Sequence, residues 1–586
     1  MIQNYRNYYY QGYALYSQGN YLEAKKYFEI AIQENPRFSP AYNELGNIYK
    51  DNHDFINALK FYKKALNYMP QSAIILTNLG VTENQLGKIG QAQKYFKKAI
   101  MFDPKYADAY YNIGKIYLMA EKWQEAKEYF EKALKTNPAF GYAQSLLALT
   151  KMQTCDWNKA LKYDPMCDTP LLNLLRLEDP EINLKVAQLR SATIEKKMVG
   201  FPKFVHRKRK KKKLIVGYMS NDFYNHATSY LIAGMFELHD RKKFAVYIYS
   251  YGPNDENYYL RKVKKDCDKF TDISKLGDYE AAQKIYSDGV DILVDLKGYT
   301  GGSRMEILAL RPAPIQISYL GFPGTTGSNF IDYIITDKVV SPPSHKKYYS
   351  EKFAYMPNCY QINYDKRKIA DIEYKRSDFN LPATSKSGLA GRSVVFSCFN
   401  HTSKIDPETF TSWMRILKAV PKSVLWLFRS NKIAEENLKK EAKKAGINPN
   451  RLIFATYLEN SRHLARIKLS DLALDTFTYN GHTTTSDSLW AGVPVVTLQG
   501  KHFASRVASS ILTAAGLPEL ITHSQKEYED LAISLALNPQ KLNAIRYSLL
   551  SNRLTCPLFD TQLFFKNLEK LYLDIYEQKF RRSEKI

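Results

Sequence analysis

The segment Leu472-Ala473-Leu474-Asp475-Thr476-Phe477, followed by Asn480-Gly481-His482-Thr483-Thr484-Thr485-Ser486-Asp487-Ser488-Leu489-Trp490-Ala491-Gly492 and Pro494-Val495-Val496-Thr497-Leu498, reads as strand, turn, helix and strand. Glycine and hydroxyl residues fall where the first strand turns into the helix. Such a turn presents unpaired backbone N–H groups and the positive end of the helix dipole, a combination that binds phosphate. Thr483, Thr484 and Thr485 add hydroxyl donors, and Asp487, in what the spacing predicts to be the first helical turn, is placed to accept hydrogen bonds from a sugar diol. The ligand this pattern suits is a nucleotide diphosphate. Taken alone, the run also describes an ordinary capped strand-to-helix turn, so the rest of the chain has to decide.

The same alternation extends on both sides. Strand patterns at Ser393–Phe399, Ser423–Phe428, Leu452–Ala455, Leu472–Asp475 and Val495–Leu498 alternate with helical stretches. An earlier series begins at Leu214–Ser220 and continues through Phe244–Ser250, Asp291–Leu296 and Ile315–Leu320. Strand and helix in turn mean parallel sheets. The charged, weakly periodic segment 365–392 separates the two series. Two facing doubly wound lobes bind ligand at the carboxyl ends of their strands, so the chemistry is expected between them. The lobes are predicted to span 214–375 and 390–560, with a C-terminal helix over 561–586.

The N-terminal part is different. Gly12, Gly46, Gly80 and Gly114 stand 34 residues apart, and so do Ala24, Ala58, Ala92 and Ala126, and Pro36, Pro70, Pro104 and Pro138. The aromatics Phe28, Tyr62, Phe96 and Phe130 keep the same step. This is the signature of tetratricopeptide repeats, four of them over 5–38, 39–72, 73–106 and 107–140. Glycine and alanine let paired helices approach, aromatics fill the space between them, and proline ends the second helix. The expected architecture is an α-solenoid over 1–140, a helical linker over 141–213, and then the α/β lobes. A solenoid of this kind offers a concave groove to an extended peptide. Asn78 and Asn112, each two residues before the repeat glycine, are candidates for pairing with peptide backbone, or else are solvated surface residues. Tyr10 and Glu44 hold that place in the first two repeats.

Composition narrows the function classes. At 586 residues, with 45% hydrophobic and 13% aromatic content, the chain is too long for one core and too apolar for disorder, and about two to four domains are expected. No apolar run approaches the roughly 20 residues of a membrane helix, and Met1–Tyr5 lacks signal-peptide features. A cytoplasmic protein is expected, or a nuclear one in a eukaryotic host. The six cysteines show no CxxC pair and no zinc spacing, so reduced thiols and no structural metal are expected. The net charge of 84 − 59 = +25 is diffuse except for the block Arg207-Lys208-Arg209-Lys210-Lys211-Lys212-Lys213. That block reads as a solvated linker, with a nuclear localisation signal or a phosphate-contacting patch as alternatives. A nucleic-acid binder would need an aromatic-and-basic recognition motif, and none is present.

Five motifs carry a family resemblance: Asp222-Phe223-Tyr224-Asn225-His226-Ala227-Thr228-Ser229, Leu310-Arg311-Pro312-Ala313-Pro314-Ile315-Gln316, Leu320-Gly321-Phe322-Pro323-Gly324-Thr325-Thr326-Gly327, Phe399-Asn400-His401-Thr402-Ser403-Lys404-Ile405-Asp406-Pro407, and the 480–494 run. With Ser505-Arg506-Val507-Ala508 they resemble the catalytic region of the O-GlcNAc transferases, and the likeness covers the repeats and residues 214 to about 578 in the same order. The resemblance implies a GT-B-type inverting glycosyltransferase that moves N-acetylglucosamine from UDP to Ser or Thr hydroxyls of proteins. No metal and no further cofactor are implied.

The roles the resemblance implies follow residue by residue. A departing diphosphate must be neutralised by cations and backbone donors, and Lys404 matches the family's phosphate-binding lysine. His226 matches the active-site histidine, either as base or as an orienting group. Asp295, at the end of another first-lobe strand, is a further catalytic candidate, with a strand-terminating structural role as its alternative. His463 and Arg466, three apart on one helix face, match positions near the uracil, where an aromatic ring can stack on the base. His401, His482, Thr483, Thr484 and Asp487 would hold the diphosphate and ribose. The chain departs from the animal members at His401, where they have glutamine, at Asn460, where they carry a ribose-side lysine, and at Ser403 and Tyr479 near the N-acetyl group. The competing readings are the same fold using another nucleotide sugar, glucose or fucose, and a non-catalytic repeat scaffold. Protein or peptide acceptors and a UDP-sugar are the expected partners, and homo-oligomerisation is left open.

Overall fold

The computed structural model describes residues 4–52, 54–158, 161–206, 212–383 and 393–581. Most of the basic block, residues 207–211, and part of the interlobe segment, 384–392, therefore lie outside the described residues. Lys212 and Lys213 are exposed. The repeats form antiparallel helix pairs: α1 (Asn4–Ser17) with α2 (Tyr21–Glu34), α3 (Ser39–Asp51) with α4 (Phe55–Tyr68), α5 (Ala73–Gln85) with α6 (Ile89–Phe102), and α7 (Ala107–Met119) with α8 (Trp123–Thr136). The 34-residue spacing has a steric cause. A Cβ built on Gly46 would meet the Tyr62 ring at 2.5 Å, and one on Gly80 would meet the Phe96 ring at 2.5 Å. Side-chain oxygens of Asn20, Asp54 and Ser72 cap the first turns of α2, α4 and α5.

The stack does not stop at residue 140. Helix α9 (Gly141–Gln153) packs on α7 and α8 as the first half of a further repeat, and α10 (Pro170–Arg176) and α11 (Pro180–Met198) follow. The end of α11 returns to the first repeat. A Cβ on Gly19, whose φ is +85°, would stand 2.2 Å from the Lys196 carbonyl oxygen, so glycine is required there both by conformation and by contact.

The first lobe is a seven-stranded parallel sheet with order β3-β2-β1-β4-β5-β6-β7. Its strands are β1 (Leu214–Ser220), β2 (Phe244–Ser250), β3 (Lys269–Asp272), β4 (Ile292–Asp295), β5 (Ile315–Ser318), β6 (Tyr333–Thr336) and β7 (Lys352–Tyr355). The second is a six-stranded parallel sheet with order β10-β9-β8-β11-β12-β13. It comprises β8 (Val395–Cys398), β9 (Val424–Phe428), β10 (Leu452–Ala455), β11 (Leu472–Leu474), β12 (Val495–Leu498) and β13 (Ile521–Thr522). Both are doubly wound, and the strand order reverses between β1 and β4 and between β8 and β11. The sequence pattern missed β3, β6, β7 and β13; β3, β7 and β13 are edge strands with incompletely buried residues, and β6 lies next to the edge.

The helix Thr561–Arg581 leaves the second lobe and packs on the first. Glu569 Oε1 accepts from the Asp240 backbone N–H at 2.7 Å, and the Tyr218 and Tyr572 hydroxyls lie 3.3 Å apart. Among the described residues no helix is long and apolar enough to cross a membrane.

Candidate active site

The second lobe's switch point is organised around Asp475, the residue after β11. Its Oδ1 accepts from the Gly481 N–H at 2.7 Å and from Asn400 Nδ2 at 3.1 Å, and its Oδ2 accepts from the Thr497 hydroxyl at 2.8 Å. Burial pushes this carboxyl up to about 6 against the pull of those hydrogen bonds. The network fixes the turn between β11 and the helix Thr483–Trp490. A Cβ on Gly481 would lie 2.6 Å from the hydroxyls of both Thr484 and Thr485, so the backbone there passes too close to its neighbours for any side chain. Thr484 Oγ1 donates to Asn400 Oδ1. His482 occupies the N-cap without a capping side-chain hydrogen bond, which leaves first-turn amides for an anion.

Lys404 closes this turn from the other strand. The 3₁₀ turn Thr402–Lys404 follows β8, and the Lys404 ammonium donates to the Asn480 carbonyl at 2.9 Å and sits 4.3 Å from the centre of the Tyr479 ring. Burial lowers this lysine to about 8, while Asp475 pulls the other way. His482 stacks on Tyr479, with ring centroids 4.9 Å apart and planes at 18°. Burial first, and then the Lys404 charge, hold His482 in its neutral form.

Across the cleft, His226 caps the short helix Ala227–Ile232, its Nδ1 accepting from the Thr228 N–H at 3.2 Å. Burial lowers its pKa below the usual histidine value, partly offset by the Asp222 carboxylate 3.6 Å away. Asp222 itself is held by Lys297, whose ammonium donates to its two oxygens at 2.7 and 2.8 Å. His226, Thr228, Leu231 and Gln361 face Phe399, His401, Lys404, His482, Thr483 and Thr484 across a cleft with a volume of about 330 Å³. Gln361 also spans the lobes, donating to Ser486 Oγ at 2.7 Å.

Asp295, His463 and Arg466 lie behind or away from this cleft, and Asp487 stands one helical turn beyond Thr483, which lines it. Asp295 is 1% exposed and accepts from the N–H groups of Lys297 and Gly298 at 3.3 and 2.6 Å. It anchors its own turn, is pushed up to about 6 by burial, and does not line the cleft. His463 meets Phe399 edge-on at 4.9 Å and accepts from Arg466 Nε at 2.9 Å through Nδ1. Burial lowers this histidine to about 3, with Arg466 adding to the effect. Arg466, 1% exposed, stacks 5.4 Å from the Phe399 ring, so both residues back the wall that Phe399 presents. Asp487 lies in the second helical turn, one turn later than the sequence spacing suggested, and its Oδ1 accepts from Arg367 Nη2 at 2.6 Å.

On the solenoid, the Asn78 amide donates to Asn43 Oδ1 at 2.9 Å, which engages it with the preceding repeat, and Asn112 donates to its own helix at the Asp108 carbonyl, 2.8 Å away. Neither lines the cleft. Among the described residues no group of three His, Cys, Asp or Glu side chains is arranged to hold a metal ion. Sequence reasoning did not find Asp475, Asn400, Arg367 or the Asp222–Lys297 pair. In the sequence Asp475 reads only as the end of a strand, and the partners of the others lie far along the chain.

The profile described as glycosyl transferase family 41 matches residues 180–375 and 364–568. Tetratricopeptide-repeat profiles match 5–38, 39–71, 82–120 and 107–140. The chain is 41% identical over 413 residues to a probable UDP-N-acetylglucosamine–peptide N-acetylglucosaminyltransferase, SEC, from Arabidopsis thaliana, covering 68% of this chain and 42% of that protein. It is 31% identical over 511 residues to the UDP-N-acetylglucosamine–peptide N-acetylglucosaminyltransferase of Caenorhabditis elegans, covering 69% and 44%. The chain thus spans less than half the length of these relatives. Among solved structures it is similar to an O-GlcNAc transferase mutant from Thermobaculum terrenum, with 26% identity, a TM-score of 0.68, and 93% of this chain aligned to 98% of that one.

Proposed function

Because this chain belongs to glycosyl transferase family 41, we propose that it transfers N-acetylglucosamine from UDP-N-acetylglucosamine to Ser or Thr hydroxyls of proteins, with inversion at the anomeric carbon. The acceptor oxygen attacks that carbon from the face opposite the diphosphate. The bond from the sugar to the β-phosphate breaks, and UDP leaves with the electron pair. Catalysis then consists of stabilising the departing diphosphate and orienting or deprotonating the hydroxyl.

One observation carries the reading. Lys404, the uncapped N-terminus of the Thr483–Trp490 helix and His226 line the same cleft from opposite lobes. The ammonium and the amides meet the negative charge without recourse to a metal ion or another cofactor. The depressed pKa of His226 leaves a neutral imidazole near pH 7 on the acceptor side. We assign acceptor recruitment to the concave face of the solenoid, formed by α1, α3, α5, α7 and α9, which contact one another in sequence. A cytoplasmic location goes with this reading, since all six cysteines are free thiols and four are buried.

The test incubates the purified full chain with labelled UDP-N-acetylglucosamine and a panel of candidate acceptor proteins, alongside Lys404→Ala and His226→Ala. The expected result is a HexNAc mass increment on Ser or Thr with the parent chain and little or none with the variants. Equal labelling by all three would overturn the assignment.

A further inference from the structure

Arg367 lies on the crossover between β7 and β8, outside every motif that carried the resemblance, and it is 9% exposed. Its Nη2 donates to Asp487 Oδ1 at 2.6 Å and to Asn460 Oδ1 at 3.3 Å, and its backbone carbonyl accepts from Trp490 Nε1 at 3.2 Å. Arg367 is therefore tied twice to the helix Thr483–Trp490 and once to the helix Asn460–Ile467, which bears His463 and Arg466. Its Nε and Nη1 are buried without a hydrogen-bond partner. Buried donors left unpaired are costly, so the arginine is kept here against a penalty, and what it holds is the Asp487 carboxylate.

The position of Asp487 says which part of a ligand it would meet. Thr483, which lines the cleft, and Asp487 are four residues apart and share a helix face. One turn of helix advances about 5.4 Å, roughly the step from a phosphate held at the first-turn amides to the sugar attached to it. A carboxylate there can only accept hydrogen bonds, which suits a vicinal diol. The pair is nearly dry, with side chains 5% and 6% exposed, so the carboxylate has little water to reorient it. Among the described residues Oδ1 takes the arginine and Oδ2 is left for the ligand.

Building on the proposed function, we infer that Arg367 is a positioning residue for the ribose of the donor, holding Asp487 in the orientation that reads the ribose hydroxyls. Arg367 acts through Asp487, with the interlobe crossover supplying the cation. Where this chain carries Asn460, the arginine supplies the positive charge beside the diol.

The experiment measures, by calorimetry, the binding of UDP and of 2′-deoxy-UDP to the full chain and to Arg367→Met, Arg367→Lys, Asp487→Asn and the double variant Arg367→Met/Asp487→Asn. Melting temperatures without ligand are recorded beside them. The parent chain is expected to prefer UDP by about tenfold or more, the value of one hydrogen bond to a charged group. Arg367→Met and Asp487→Asn should each bring the ratio close to one, the double variant should lower it no further, and Arg367→Lys should fall between. Arg367→Lys keeps the buried Asp487 carboxylate compensated, so it reads the ratio even if Arg367→Met is poorly folded. A merely structural arginine would weaken both ligands alike; a ratio unchanged in Arg367→Met, or in Arg367→Lys where Arg367→Met does not fold, overturns the inference while leaving UDP binding intact. Failure of the parent chain to bind UDP would instead overturn the functional reading and this inference with it.

Discussion

Thr402 Oγ1 donates a 2.9 Å hydrogen bond to the carbonyl oxygen of Gln153, 249 positions away in the chain. Gln153 is the last residue of α9, and Thr402 begins the turn that ends in Lys404. Asn431 Nδ2 donates to the same carbonyl at 2.8 Å, and Asn437 Nδ2 donates to the Thr154 carbonyl at 2.9 Å. The end of the solenoid is thus keyed directly onto the loop that presents the ammonium to the cleft. Replacing Thr402, which is 1% exposed, by valine should cost about 1 kcal/mol in denaturant unfolding, the typical value of one such bond. Turnover should fall several-fold because the Lys404 turn loses an anchor. Unchanged stability and unchanged turnover would show that the contact is incidental.

Lys404→Met separates function from stability. Loss of a group aimed at developing charge should lower turnover by about 10²- to 10³-fold. The melting temperature should stay level or rise, because the substitution removes a charge whose burial lowers its pKa to about 8. A large loss of melting temperature would make Lys404 a structural residue.

The same lysine predicts a pH dependence. Diphosphate binding needs the ammonium, and the free chain loses that proton as pH rises through about 8. UDP affinity should therefore be level below that value and fall by up to about tenfold per pH unit above it. In Lys404→Met this dependence should be gone. For stability the sign is opposite: the folded pKa lies below the unfolded 10.5, so between about 8 and 10.5 the unfolded chain binds the extra proton and this group's contribution to folding improves with pH. Calorimetry and denaturant titrations across this range test both signs.

Gly80→Ala probes the repeats alone. The added methyl would sit 2.5 Å from the Phe96 ring, and overpacking of this kind costs about 1–3 kcal/mol. Unfolding should shift by that amount while UDP affinity in the folded chain stays the same. A fall in UDP affinity without loss of stability would contradict the separation of solenoid packing from the donor site.

The repeats were legible in the sequence because their spacing is enforced by glycine-to-ring contacts every 34 residues. The lobes were legible because β1, β2, β8 and β9 are buried apolar runs. The site was legible where a motif is local, as with Thr483, Thr484, His482 and Lys404, all of which line one cleft. It was not legible where the partner is distant. Asp222 and Lys297 are 75 positions apart, Arg367 and Asp487 are 120 apart, and nothing in either neighbourhood announces the other. From the sequence Asn78 reads either as a rung of a peptide-binding ladder or as a solvated surface residue; its amide donates to Asn43 of the preceding repeat, a register that only helix packing determines.

The central claim is that the amides of the Thr483–Trp490 helix and the Lys404 ammonium hold a nucleotide diphosphate. Its most direct test is calorimetric titration of UDP into the full chain in buffer containing a metal chelator, with Lys404→Ala in parallel. Saturable binding to one site per chain, weakened by at least about tenfold in the variant, is the predicted result. No binding in the chelator-treated buffer, or equal affinity for the two proteins, would contradict it.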